Sequence, residues 1–226
     1  MKIPRVCVVI PIKERSTRIP GKNLKNLAGK PMMAYIIETA GSARGVDRVI
    51  VSTESKKVKR VAEKYGAEVP FLRPRSLITD KTTSQQVLIH ATAELAKKGY
   101  KPDYILLLYA TSPLLSRRRI EEAIRIAASR NSDSVISGSI DKGHYWKKRD
   151  AKWERLYPVK LVNSQFQKPL FKENGAIYMT KTAILKKQLV GRRADVLLMD
   201  SDESIDVDWP EDWKKVEEIL RKRKRS

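Results

Sequence analysis

The feature that most constrains this chain is an alternation of two hydrophobic rhythms. Val6 to Pro11 is a short apolar run rich in β-branched residues, the composition of a strand buried on both faces. After a polar loop, Met33, Ile36, Ile37 and Ala40 follow at i, i+3, i+4 and i+7, one stripe of a helix. Val46 to Thr53 reads as the next strand. Val58, Val61, Ala62 and Tyr65 form the next helical stripe, with Gly66 placed to end it. Val87, Leu88, Ala91 and Leu95 predict a helix closing near Gly99, and Tyr104 to Tyr109 a strongly apolar strand. Ile120, Ala123, Ile124 and Ala127 mark a further helix with Ser116 as its candidate cap, and Ser134 to Ser139 a further strand. Repeated strand–helix alternation with short connections predicts an α/β fold: a mostly parallel, Rossmann-like sheet flanked by helices. Such sheets bind ligands beyond the C-terminal ends of their strands.

The rhythm breaks between about Gly138 and Lys172. Two short amphipathic extended stretches, around His144–Lys148 and Trp153–Val159, flank Arg149-Asp150-Ala151-Lys152 and predict a β-hairpin arm over residues 139–172. Trp146, Trp153 and Leu156 on it serve either satellite packing or a subunit contact. Gly175 to Thr180 and Val196 to Met199 resume as strands, and Pro210 opens a last helix carrying Trp213, Val216 and Leu220. With no internal repeat or low-complexity linker, residues 1–226 read as one domain. No apolar run reaches the roughly 20 residues that cross a bilayer. The start lacks a signal peptide's apolar stretch, and the lone Cys7 cannot form an intramolecular disulfide. The expected compartment is the cytoplasm.

Charge narrows the partners less than it first suggests. With 47 Lys and Arg against 26 Asp and Glu, the net charge is +21. That surplus attracts nucleic acid, anionic lipid or a small phosphorylated substrate without choosing among them. The basic residues are spread along the chain, and the block at 221–226 reads as a solvated or frayed tail.

Five stretches carry the chemistry. The loop after the first strand gathers Lys13, Arg15, Arg18 and Lys22 with Ser16, Thr17 and Asn23. Converging cations, backbone N–H groups and flexible backbone at Gly21 suit a polyphosphate, although a solvated basic loop has the same composition. It matches neither a Walker A loop nor a GxGxxG turn. In Ile205-Asp206-Val207-Asp208, residues i and i+2 share a side, so Asp206 and Asp208 can present paired carboxylates. Hard oxygen ligands favour Mg²⁺ or Mn²⁺, whereas Asp208 also stands where it could cap the helix opening at Pro210. Arg73 to Ser84 is a polar loop with Ser84 as a candidate cap, and taken alone it is ordinary. Tyr109-Ala110-Thr111-Ser112-Pro113 lies at another strand end. Ser164-Gln165 and Glu173-Asn174-Gly175 complete the set, and Asn-Gly before a strand usually marks a turn.

In order and spacing, these stretches resemble the acylneuraminate cytidylyltransferase (CMP-sialic acid synthetase) family over nearly the whole chain. Ile10 to Asn23 is similar to that family's IPARGGSKxIPGKN pattern. FLRP with its polar loop, TSPL after a strand, ENGAIY and IDxD before a final helix also match. The resemblance implies a nucleotide-diphospho-sugar transferase type of sheet and a homodimer through the arm. It implies CTP contacts from Lys13, Ser16, Arg18, Lys22, Asn23, Arg73, Thr82 and Ser84, and acceptor contacts from Tyr109, Thr111, Gln165 and Asn174. Asp206 and Asp208 match the family's metal carboxylates. The chain departs at Lys13, where the family has arginine, at Glu14 and Arg15, where it has glycines, and at Tyr109, where it has glutamine.

The expected reaction is attack by the anomeric hydroxyl of an acidic 2-keto-3-deoxy sugar on the α-phosphate of CTP. Mg²⁺ on Asp206 and Asp208 is expected to neutralise the triphosphate while Lys13 and Lys22 stabilise phosphoryl charge. A glycosyltransferase using Asp206-Val207-Asp208 as its DxD site is the nearest alternative, but it leaves the cationic loop without a role. A nucleic-acid-binding protein would explain +21, yet no recognition helix or stacking platform is visible in the sequence. Neither a membrane nor a specific nucleic acid is expected as a partner.

Overall fold

A computed structural model describes residues 4–141, 143–156, 163 and 170–223. The first strand, β1 (Val6–Pro11), shows why its apolar run is unbroken. Val6, Val8 and Ile10 enter one apolar cluster, and Cys7 and Val9 enter another on the opposite face. Burial pushes the Cys7 thiol up to about 12, so it stays protonated and packs as a small hydrophobe.

A short β2 (Asn26–Leu27) and β3 (Lys30–Pro31) pair leads into α1 (Met32–Ser42) and then β4 (Val46–Ser52). Next come α2 (Lys56–Lys64), α3 (Ser84–Lys97), β5 (Tyr104–Leu108), α4 (Arg117–Arg130) and β6 (Ser134–Asp141). The chain ends with β7 (Trp146–Arg149), β8 (Lys152–Arg155), β9 (Leu170–Lys181), β10 (Ala194–Leu198) and α5 (Pro210–Arg223). The main sheet has the order β10-β6-β9-β5-β1-β4. β9 runs antiparallel to β5 and β6, and the other neighbours are parallel.

Helices cover both faces. Met33, Ile36 and Ile37 of α1 and Ile120, Ala123 and Ala127 of α4 pack on one, Leu88, Ala91 and Leu95 of α3 on the other. A third cluster matters more for the site. Trp213, Val216 and Leu220 of α5 pack with Ile19, Leu27, Met32, Tyr35 and the fully buried Val207. Burying side chains of this size stabilises by roughly 1.5–3 kcal/mol each, so the last helix is docked onto the loop that follows β1. That docking carries residues 206–208 across the molecule to the cationic turn.

Several local expectations change. Asn174-Gly175 is not a turn before a strand. It lies inside the long β9, where the pairing with β6 shifts register near Gly138 and Gly175 takes a φ of +75°, a bulge only glycine adopts readily. Thr83, not Ser84, caps α3, in a capping box with Gln86. Ser116 stands at the N-cap of α4, but its hydroxyl donates to Glu203 instead.

The arm is a two-stranded hairpin of β7 and β8 turning at Asp150, with φ +52°. Arg155 stacks 5.0 Å from the Trp146 ring and Lys148 lies 6.0 Å from the Trp153 ring. The basic residues Arg221, Lys222 and Arg223 form the last turn of α5, where they complement the helix dipole. Residues 157–162 and 164–169 of the predicted arm, and residues 224–226, lie outside the described residues. No helix among the described residues is long and apolar enough to cross a membrane.

Candidate active site

The cavity at the C-terminal ends of β1 and β5 has a volume of about 320 Å³. Its floor is the end of β1 and Ala110, its walls the cationic loop, the polar loop before α3, and Asp208. Gly21, at φ +63°, turns the loop back on itself, and its carbonyl accepts the N–H groups of Leu24 and Lys25. That turn aims Lys22 inward. Its side chain is 13% exposed, and Nζ donates to the Val207 carbonyl at 2.8 Å and to Asp208 Oδ1 at 3.1 Å. Arg18 pairs with the other oxygen of Asp208 and stacks 5.2 Å from the Trp209 ring.

The two aspartates flank the buried Val207, so both carboxylates stand on the side opposite the core. Val207 N–H donates to the Thr111 carbonyl at 2.7 Å, which sets Thr111 beside Asp206, where its side chain lowers the Asp206 pKa. Their electrostatics differ in sign. The protein packed around Asp206, and then repulsion from Asp208, raise its pKa despite Thr111. Partial burial also pushes Asp208 upward, but hydrogen bonds from Lys22 and Arg18 hold it below the usual carboxylate range. Asp208 does not cap α5. Asp212 accepts the N–H groups of Asp208 and Trp209, at 3.1 and 2.8 Å, and leaves the Asp208 carboxylate facing the cations.

Could the pair hold a metal? Among the described residues, no three His, Cys, Asp or Glu side chains gather as a complete cage. Magnesium seldom asks for one, since it takes one or two carboxylates together with waters and substrate phosphates. Two neighbouring carboxylates, Asp206 with its pKa raised by burial and then by Asp208, form a donor set that fits such an ion.

A family model described as cytidylyltransferase matches residues 7–225. The chain belongs to the cytidylyltransferase family. It is 32% identical over 223 residues to a CMP-N,N'-diacetyllegionaminic acid synthase of Legionella pneumophila, covering 96% of each chain. It is 36% identical over 115 residues to a pseudaminic acid cytidylyltransferase of Campylobacter jejuni, covering 51% of this chain and 50% of that protein. Among solved structures, a CMP:2-keto-3-deoxy-manno-octonic acid synthetase complexed with CTP superposes with a TM-score of 0.72 at 18% identity. That match covers 97% of this chain and 99% of the other, a likeness of fold. Cytidylyltransferases are nucleotidyltransferases, and so is this chain.

In this cytidylyltransferase the cavity brings together Lys13, Ser16, Arg18, Lys22, Asn23, Arg73, Thr82, Ser84, Tyr109, Thr111 and Asp208. Several have prior commitments. Asn23 is buried and donates to the Lys13 carbonyl at 2.9 Å. Thr82 shares a hydrogen bond with Thr79, and Ser84 Oγ lies 2.7 Å from the Tyr109 hydroxyl. Arg73 is buried, with Nη2 on Ile12 O and Glu54; its Nε has no partner among the described residues.

Asn174 is elsewhere. It accepts from Ser137 Oγ at 2.6 Å and Ala176 N–H at 3.1 Å, and donates to Ser204 Oγ at 2.8 Å, bracing β9 against β6 and the turn before Ile205. Gln165 lies outside the described residues. Sequence reasoning missed Glu54, Asp212 and the Arg119–Glu203 pair that anchors the 201–204 turn to α4. Only Asp212 had a signal, as an acidic residue in a first helical turn.

Proposed function

We propose that the protein transfers CMP from CTP to the anomeric hydroxyl of a 2-keto-3-deoxy sugar acid. The hydroxyl oxygen forms a bond to the α-phosphorus, and the α–β bridging P–O bond breaks to release pyrophosphate. The observation that carries the reading is Lys22 and Asp208 joined at 3.1 Å inside a cavity walled by the cationic loop. That arrangement supplies the cations and the carboxylate that a nucleoside triphosphate needs. The names of the relatives supply the acceptor class: legionaminic, pseudaminic or 2-keto-3-deoxy-manno-octonic acid, with sialic acid beside them.

Lys22 and Lys13 are assigned to phosphoryl oxygens, worth most where water is excluded. Ser16, Arg18 and Asn23 line the triphosphate path, and Arg73, Thr82 and Ser84 the nucleoside end. Tyr109 and Thr111 face the acceptor, with Gln165 and Asn174 assigned to it by resemblance. Asp206 and Asp208 would hold Mg²⁺ or Mn²⁺, which supplies charge neutralisation of the triphosphate. The reading includes a homodimer through the arm, supported by Trp146 and Trp153 rings that are 46% and 62% exposed.

The test is a screen of those acids against each nucleoside triphosphate, scored by pyrophosphate release. Turnover with CTP and one acid is expected. Release of a nucleoside diphosphate, or no response to CTP with any acid, would overturn the reading.

A further inference from the structure

Lys13 is the first cation of the loop, and its backbone is fixed at three successive points. The Ile12 carbonyl accepts from Arg73 Nη2 at 3.1 Å, and the Lys13 carbonyl accepts from Asn23 Nδ2 at 2.9 Å. The Glu14 N–H donates to Glu54 Oε1 at 3.0 Å. The first and third tethers are one device, because Arg73 Nη2 also meets Glu54 Oε2 at 3.0 Å. Glu54 thus spends one oxygen on a guanidinium and the other on the loop amide.

The environment makes this device stiff. The Arg73 side chain is 1% exposed, and an unpaired charge there would be strongly unfavourable, so the geometry of the pair is tightly set. Glu54 itself follows β4 between the buried Thr53, whose carbonyl accepts Arg73 N–H at 2.8 Å, and Ser55, which caps α2. The carboxylate is 21% exposed and does not line the cavity. Its own contact with substrate is therefore not the reason for its placement.

We infer that Glu54 is a positioning residue for Lys13, acting through the Glu14 amide and Arg73 to hold the loop at a fixed height over the cavity. This rests on the reading that residues 13–22 receive a triphosphate. Lys13 Nζ already rests on the neighbouring polar loop, donating to the Thr79 carbonyl at 3.1 Å and lying 3.9 Å from the Asp80 carboxylate, so the height of its backbone decides whether it can leave that loop for a phosphate in the cavity.

The test is a double-mutant cycle between Glu54→Gln and Lys13→Ala, read as kcat and KM for CTP, with amide hydrogen exchange on the same proteins. Glu54→Gln keeps an oxygen for the Glu14 amide but loosens Arg73. It is expected to lower kcat about tenfold, the scale of a charge-assisted hydrogen bond, with little change in KM. In the Lys13→Ala background the same change should cost less than about twofold, because the positioned group is gone. Exchange at the Glu14 amide should rise in both backgrounds. An equal loss in both backgrounds, or unchanged exchange, overturns the inference. If Glu54→Gln does not fold, Glu54→Asp, which keeps the charge opposite the buried Arg73 but shortens the reach to the Glu14 amide, takes its place in the cycle. Absence of any turnover in the unmodified protein would instead count against the cytidylyl reading, and the exchange result would then decide the clamp alone.

Discussion

Lys22 and Asp208 meet at 3.1 Å although 186 residues separate them in the chain. The contact exists because Val207, between the two aspartates, is buried in the cluster that docks α5 onto the loop after β1. Lys22 is at once the inner cation of the cavity and, with Arg18, one of the two groups that keep Asp208 ionised.

Lys22→Ala should therefore remove two things together. A preorganised cation aimed at phosphoryl charge is worth about 10²–10³ in kcat, and a loss on that scale is expected. The Asp208 pKa should rise toward the ordinary carboxylate range as one of its two cations leaves. Pyrophosphate release across pH 5 to 8 reads the first effect, and side-chain carboxyl NMR reads the second. Turnover within threefold of the unmodified enzyme would remove Lys22 from the role given to it.

The aspartate pair predicts opposite stability effects from the same substitution. The pKa of Asp206 is raised in the folded state, so between the unfolded and folded values the folded protein holds a proton the unfolded chain has lost. Stability then falls as pH rises through that window, and the deficit persists at neutral pH. Asp208 is the reverse: its depressed pKa gives stability present above the unfolded value and lost as pH falls through the folded one. Without metal at pH 7, Asp206→Asn should raise the melting temperature and Asp208→Asn should lower it, while both abolish turnover. The two should converge on the unmodified protein in strong acid. Added Mg²⁺ should stabilise the unmodified protein but neither variant, since binding to the native state alone raises stability.

Asn174 should behave as a structural hub. Its amide joins Ser137, Ala176 and Ser204, so Asn174→Ala leaves several inward polar groups without their partner. A cost of about 1–3 kcal/mol is expected, seen as a lower urea midpoint with an unchanged m-value. An unaltered midpoint would remove the hub role and leave Asn174 only the acceptor role that resemblance gives it.

The parts of this fold that were legible in the sequence are those where one physical demand dominates. β1 and β5 are apolar at every position because both faces are covered, and α1, α3 and α4 show single stripes because one face is. What stayed hidden depends on distant partners. Nothing near Asn174-Gly175 signals a bulge rather than a turn, because the bulge is set by the register against β6. Ser84 and Thr83 are equally good caps by type; the Tyr109 hydroxyl claims Ser84, and the Gln86 side chain completes the box with Thr83. The cationic loop and the aspartate pair were legible as chemistry from residue type and spacing. Glu54 was not, because a carboxylate between a strand and a helix cap reads as surface until Arg73 is seen buried against it.

The bond between Tyr109 and Ser84 yields the last prediction. Tyr109 lines the cavity that holds Lys22 and Asp208 and also a neighbouring one of about 520 Å³, bounded by Glu173, Tyr178 and Leu189. Its hydroxyl, 2.7 Å from Ser84 Oγ, therefore fixes the wall between the two cavities. Burial raises the phenol's pKa, so it stays a neutral donor and acceptor across the working pH range. Tyr109→Phe keeps the ring and breaks the bond, a loss of about 1 kcal/mol in the positioning of that wall. If the neighbouring cavity receives the acceptor, KM for the sugar acid should rise roughly fivefold, which is that energy through RT ln K, while KM for CTP stays within twofold. Ser84→Ala should raise KM for the sugar acid by a similar factor, with a rise in KM for CTP as well because Ser84 is assigned to the nucleoside end. The double variant should add little to the sugar-acid shift, because both remove one and the same bond. A change confined to KM for CTP would instead assign the wall to the nucleotide and leave the neighbouring cavity without a part in turnover.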